Sequence, residues 1–352
     1  MHSTTRREPA GAAPPDTGDE PGFTAARARR ETAGRFAGIV AALPADFPLP
    51  GSGRTAERFD ALTTVAEQDV CVARLVEGHL DAAAILAELG GPPVGPGERW
   101  GVWAAEPPGE GLTAKRGGDG WTVSGLKRYC SGAHSCTHAL VTASADGGRR
   151  LFAVANADGT RPVEGSWQAL GMAGSDTPDI RFDDVPAVPV GGPEGYVDRP
   201  GFQHGGIGVA ACWYGGARAV AAALLGAARG RGSDPLTLAH LGAVDVRLHA
   251  AGAVLREAAA DIDRDPHDTE GGARLRSLRV RAVVEGACAD VLTHVGRATG
   301  AAPLCHDERH ARAAADLAVY IRQHHAERNL AELGGLLAGR TGQDTRAGED
   351  AR

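Results

Sequence analysis

Residues 120–138 read GWTVSGLKRYCSGAHSCTH, and the reading of this stretch decides the reading of the chain. Its first half alternates apolar and polar residues after the turn formers GGDG, the pattern of a strand leaving a hairpin. Its second half holds four good metal ligands, Cys130, His134, Cys136 and His138. On one extended strand these four share parity and face the same side. They would then be spread along about 27 Å at the ordinary rise of a strand, too far to close around one ion. Tetrahedral zinc sites instead pair their ligands as C-x₂₋₄-C with a second pair farther along. Two readings stay open, half-buried side chains on a sheet face or a group bound against that face, and no metal site is expected.

Working outward, the β-like character persists over residues 99–200. Short apolar runs (HALVTAS, RLFAVAN, DIRFDDV) are separated by turn formers, and Asp146-Gly147 between two of them is a hairpin signal. This predicts a middle antiparallel β domain, sandwich or barrel. Residues 23–98 read as an N-terminal helical region. There Val72, Val76, His79, Ala83, Leu86 and Leu89 recur at steps of three or four, before the stop Gly90-Gly91-Pro92. Residues 201–338 return to helices, four of them, near 205–230, from Asp234-Pro235 onward, and near 272–298 and 307–333. Asp234 is the expected N-cap and Pro235 the first helical residue. Leu238, Leu241, Val244, Leu248, Ala251, Leu255 and Ile262 form a seam on that helix, so an antiparallel four-helix bundle is expected, with a partner chain on part of the seam. The fold class is α+β. Residues 1–22 and 339–352, rich in Pro, Gly and charge, read as a disordered lead and tail.

The 352 residues suffice for two or three domains, with 43% hydrophobic and 23% charged residues. A net charge of −7 argues against nucleic-acid binding. No apolar run approaches the roughly 20 residues of a membrane span, the N-terminus lacks a signal-peptide core, and the six scattered cysteines read as reduced thiols. A soluble cytoplasmic protein is therefore expected. Two lookalikes are set aside. Gly206-x-Gly208-x-x-Ala211 lacks the preceding strand and following acid of a dinucleotide fingerprint and reads as a tightly packed helix face. His324 and His325, adjacent in QHHAER, are expected to face one inward and one outward.

Taken together, these residues resemble the acyl-CoA dehydrogenase superfamily over about residues 23–338. Ala105-Glu106-Pro107 is similar to its Thr-Glu-Pro loop. Residues 120–133 match its hairpin, with Lys127, an aromatic at Tyr129 and a hydroxyl at Ser131. Ser175-Asp176-Thr177 leads into a strand ending in Val-Pro, as in the family. The resemblance implies FAD between the β domain and the bundle. Tyr129, Ser131 and Gly132 would lie against the isoalloxazine, and backbone groups of Val102, Ala104 and Ala105 at its pyrimidine edge. It also implies α,β-oxidation of an acyl thioester, electron transfer through an electron-transfer flavoprotein or a flavin reductase, and a homodimer or homotetramer.

The family's catalytic glutamate is absent. Its two usual places fall on His324 and near Gly206, with Glu327 or Glu106 as substitutes. Ala105 also replaces the flavin-contacting threonine, and the residues that reach a neighbouring subunit's FAD are not evident in RGRGSDPLTLAHLG. Histidine at the base position is similar to the superfamily's reduced-flavin monooxygenases. The expected function is thus an acyl-CoA dehydrogenase-like oxidoreductase with His324 or Glu327 as base. A reduced-flavin monooxygenase or a non-catalytic partner subunit are the alternatives.

Overall fold

The computed structural model describes residues 23–118, 120–230 and 234–339. The expected lead, and the tail beyond Gly339, lie outside them. Three helices come first, α1 (Ala25–Ala42), α2 (Thr55–Gln68) and α3 (Val70–Leu89). Seven strands follow: β1 (Trp100–Trp103), β2 (Leu112–Gly117), β3 (Gly120–Lys127), β4 (His138–Ala145), β5 (Gly148–Ala155), β6 (Thr160–Pro162) and β7 (Ile180–Val190). The remaining helices are α4 (Gly195–Asp198), α5 (Pro200–Gly230), α6 (Pro235–Arg264), α7 (Ala273–Thr299), α8 (Ala302–His306), α9 (Glu308–Tyr320) and α10 (Glu327–Leu337).

The expected stop at Gly90, cap at Asp234 and hairpin at Asp146-Gly147 all form, and Asp69 adds a cap outside those expectations. Asp69 caps α3 by accepting from the amides of Cys71 and Val72, and Gly90 ends it at φ 69°, a left-handed stop that glycine adopts without strain. Asp234 caps α6 in the same way, with Pro235 next. The β4–β5 hairpin turns at Asp146-Gly147, with Ala145 paired to Gly148.

The strands pair in the order β1-β4-β2-β3-β7-β5, and β4–β5 pairing closes the sheet on itself, so a barrel forms. Most ladders are antiparallel, but β1 and β2 each run parallel to β4, a departure from the all-antiparallel expectation. β3 bulges between Val123 and Gly125. A Cβ at Gly125 would lie 2.3 Å from the Gly111 carbonyl oxygen, so only glycine permits this close crossing of β2 and β3.

One apolar core runs unbroken from the barrel (Trp103, Val141, Phe152) through Leu75 and Val76 of α3 to Trp213 of α5 and Leu317 of α9. The helix holding Gly206 and Gly208 is α5, preceded by α4 rather than a strand, and it packs against α2 so closely that a Cβ at Gly215 would sit 2.3 Å from the Thr63 carbonyl. Two expectations need correction. The helix expected near 307–333 is broken into α9, a 3₁₀ turn at Ile321–Gln323 and α10, because the chain reverses at Ala326 (φ 41°, ψ −117°). Helices α5 and α6 are also long and apolar enough, by length and composition, to cross a membrane, with mean hydropathy 1.3 and 1.2. The apolar window of α5 is 67% buried inside the protein, that of α6 only 22%.

Candidate active site

The ligand-rich stretch is not a strand. β3 ends at Lys127, and residues 128–137 form turns that are laced onto residues 172–178. The amides of Cys130, Gly132 and Ala133 donate to the carbonyls of Pro178, Ser175 and Asp176. The common parity of the four ligands therefore has no structural meaning. Cys130 and Cys136 are buried thiols whose pKa is pushed up by burial. His134 Nδ1 lies 2.9 Å from a carboxylate oxygen of Asp176. His138 stacks on Trp100 at 4.9 Å between ring centroids.

Of the residues expected at the flavin, Ser131 is buried and its hydroxyl accepts from Thr177 Oγ1 at 3.1 Å. Gly132, at φ 73°, is enclosed by Cys136 and Leu75. Tyr129 is 52% exposed at φ 59°. A bulky aromatic in the left-handed region is strained, and such strain gathers at functional sites. None of these three lines the cavity that Val102, Ala104 and Ala105 line. Alternation along β1 explains part of the separation. Val102 and Ala104 face the cavity, whereas Trp103 points into the core and donates from Nε1 to the Ser131 carbonyl at 2.9 Å.

That cavity, of about 570 Å³, lies among α3, the end of β1, α5, α7 and the turn before α10. Each helix contributes one stripe. Arg74, Glu77 and Asp81 come from α3, Gly205, Gly206 and Val209 from α5, and Arg274, Ser277, Leu278 and Arg281 from α7. The steps of three, four and seven residues were legible as single helix faces. What pointed nowhere in the sequence was that the three faces converge.

The turn before α10 places the histidines differently from expectation. They do not stand on a helix. His324 is extended (φ −82°, ψ 125°), so successive side chains point to opposite sides. His324 is 5% exposed, with neither ring nitrogen hydrogen-bonded, and its pKa is lowered by burial and then by Arg281. It is not among the cavity's lining residues, and His325 takes that place beside Gln323. Glu327, the first residue of α10, is exposed and also outside the lining. Inward and outward placement of the two rings agrees with the sequence reading, while the residue offered to the cavity moves by one position.

Most charges around the cavity are already matched. Arg74 holds Glu77 at 2.6 Å, Arg274 holds Glu332 at 2.7 Å, and Arg199 lies 2.7 Å from Glu88 and 3.9 Å from Asp81. Arg149 lies 3.1 Å from Glu194. Glu106, one of the substitute bases, is held by buried Lys127 at 2.6 Å and by the Thr142 hydroxyl. Burial pushes the Glu77 carboxyl up to about 7, with the Arg74 guanidinium opposing it. Burial lowers Lys127, and Glu106 opposes that.

No protein-family model and no curated protein matches the sequence. Solved structures do match. Dibenzothiophene monooxygenase TdsC from Paenibacillus sp. A11-2 is 20% identical over 89% of this chain and 96% of its own, with a TM-score of 0.69. KijD3, solved with FMN and dTDP-3-amino-2,3,6-trideoxy-4-keto-3-methyl-D-glucose, is 20% identical over 91% and 95%, with a TM-score of 0.70. Butyryl-CoA dehydrogenase from Megasphaera elsdenii is 20% identical over 80% and 81%, with a TM-score of 0.69. Identity this low speaks for the backbone and not for the reaction, and on that backbone the chain has the acyl-CoA dehydrogenase fold.

Proposed function

We propose that the chain is a flavin-dependent oxidoreductase whose cavity among β1, α5 and α7 takes the substrate, and that it works as a reduced-flavin monooxygenase rather than an acyl-CoA dehydrogenase. The residues suit a flat heteroaromatic cofactor. Small residues, Ala104, Ala105, Gly205 and Gly206, line the cavity together with Val209 where β1 ends, which leaves room for a ring. TdsC and KijD3 are each known with FMN bound, so FMN replaces FAD as the expected form here. Tyr129, Ser131 and Gly132 remain flavin contacts by the family resemblance alone, since the strained and exposed Tyr129 and its two neighbours stand outside the cavity lining.

The observation that carries the choice of reaction is the side chain at the turn before α10. It offers the cavity an imidazole, His325, and no carboxylate, and each carboxylate on the cavity wall lies within ion-pair distance of an arginine or lysine. Ion pairing makes a carboxylate a poorer proton acceptor, except at Glu77, where burial outweighs its arginine and leaves this as the wall carboxylate that α-proton abstraction would have to use. A bound reduced flavin supplies the electrons for oxygen chemistry. The chain's residues then bind and orient the substrate, Tyr196, Phe202 and Leu278 keep water from one wall, and His325 moves a proton at its imidazole. A reductase would supply the reduced flavin. The cytoplasm, where its six free cysteines stay reduced, is the proposed location. A homodimer or homotetramer would cover some of the exposed apolar residues of α6, among them Leu236, Leu238 and Val246.

The test is a spectrum from about 350 to 500 nm of protein mixed with FMN, followed by two assays. Oxygen uptake that requires an added flavin reductase, with no anaerobic bleaching by a panel of acyl-CoA thioesters, is expected. Bleaching by any thioester would restore the dehydrogenase reading. Failure to take up FMN or FAD would leave the partner-subunit reading.

A further inference from the structure

Arg281 stands apart from the other charged residues of the cavity. Among the described residues, each other charged side chain on its wall has an opposite charge within ion-pair distance. Arg281 has none. Its guanidinium donates to the carbonyls of Gly206 at 2.6 Å and Gln323 at 3.2 Å, and lies 4.6 Å from the centre of the Trp213 ring. These contacts fix its position between α5, α7 and the turn that carries His325. None of them neutralises it. Burial weakens its hold on the proton, to about 10, opposed by Tyr320 and then Glu77. Glu77 is already bound to Arg74. A planar five-donor cation held in place, facing a cavity and lacking a counter-charge, is built for a bidentate acceptor.

We propose that Arg281 receives an anionic group, a carboxylate or phosphate ester, of the molecule bound in this cavity. The proposal rests on the cavity being a ligand site, as argued under the proposed function. The anion has two possible sources, the substrate or the phosphate of the flavin itself, and paired probes separate them. FMN and riboflavin differ by that phosphate alone. Benzoate and benzamide differ by charge at nearly the same shape.

Affinities of the full chain for all four probes would be measured by calorimetry, with the benzoate pair measured both alone and with saturating FMN. A preference of about 10-fold or more for the charged member of at least one pair is expected, the usual scale of one charge-assisted hydrogen-bonded contact. The pair that shows it identifies the source. The preference should vanish in Arg281→Gln and persist in Arg281→Lys. Should Arg281→Gln fail to fold, the Lys variant and competition by inorganic phosphate in the unsubstituted chain decide the matter. Equal affinities within both pairs overturn the proposal, as does a preference that survives Arg281→Gln. Flavin binding without charge preference leaves the oxidoreductase reading standing and removes this one. Charge preference for benzoate without flavin binding does the reverse.

Discussion

His79 gives the chain a pH dependence whose sign and size follow from one hydrogen bond. Its Nδ1 accepts the amide of Trp100, the first residue of β1, at 3.2 Å, and the ring is 5% exposed. A nitrogen that accepts must be unprotonated, so charging the ring breaks the link between α3 and the barrel. Burial first, then Arg58 and Arg99, push its pKa down to about 4, against a weaker pull from Glu98. In the unfolded chain the group titrates near 6.5. Between these values the unfolded state binds a proton and the folded state does not, so stability falls as pH drops from about 6.5 towards 4. From pH 7 to pH 5 this residue alone should remove about 2 kcal/mol. His79→Asn keeps an acceptor oxygen for Trp100 but cannot be charged. Urea unfolding of both proteins at pH 7 and pH 5 isolates the effect, since Glu77 and Asp316, raised by burial, contribute alike to each. Equal losses of stability on acidification in the two proteins would refute the reasoning.

Other substitutions probe the site and its supports. His325→Ala should lower turnover sharply with flavin content unchanged, whereas His324→Ala should act on the unfolding midpoint through a lost buried ring. Similar activity losses in both would mean that the turn is not arranged as described. Lys127→Met should cost only about 1–2 kcal/mol in urea unfolding, because Glu106, 37% exposed, regains water when its cation is removed while the Thr142 carbonyl loses a charged donor; a loss above about 3 kcal/mol would show that the carboxylate stays dehydrated. Gly125→Ala should cost at least about 1–3 kcal/mol, from a φ of 123° and the collision with the Gly111 carbonyl, again read by urea unfolding. Ala326→Gly should gain up to about 1 kcal/mol by relieving φ 41°, seen as a raised melting temperature.

By itself the sequence determined the order of helices, strands and helices, the cap at Asp234, the helix stop at Gly90, and the hairpin at Asp146-Gly147. Each of these depends on residues adjacent in the chain, through periodicity, capping and turn conformation, and such signals survive without knowledge of distant contacts. The matches at Lys127 and Ser175-Asp176-Thr177 pointed to the fold for the same reason. Tertiary structure alone decided the rest. Residues 128–137 leave the strand because amides there find carbonyls some 40 to 50 positions on, in the loop before β7, so parity misled. His325 rather than His324 meets the cavity because the chain reverses at Ala326, a conformation that an alanine does not announce. Arg281 looked like one more arginine on a helical face. Only the packing of α3, α5 and α7 around it shows that its neighbours' charges are taken and its own is not, since charge balance in a cavity is a property of elements far apart in sequence.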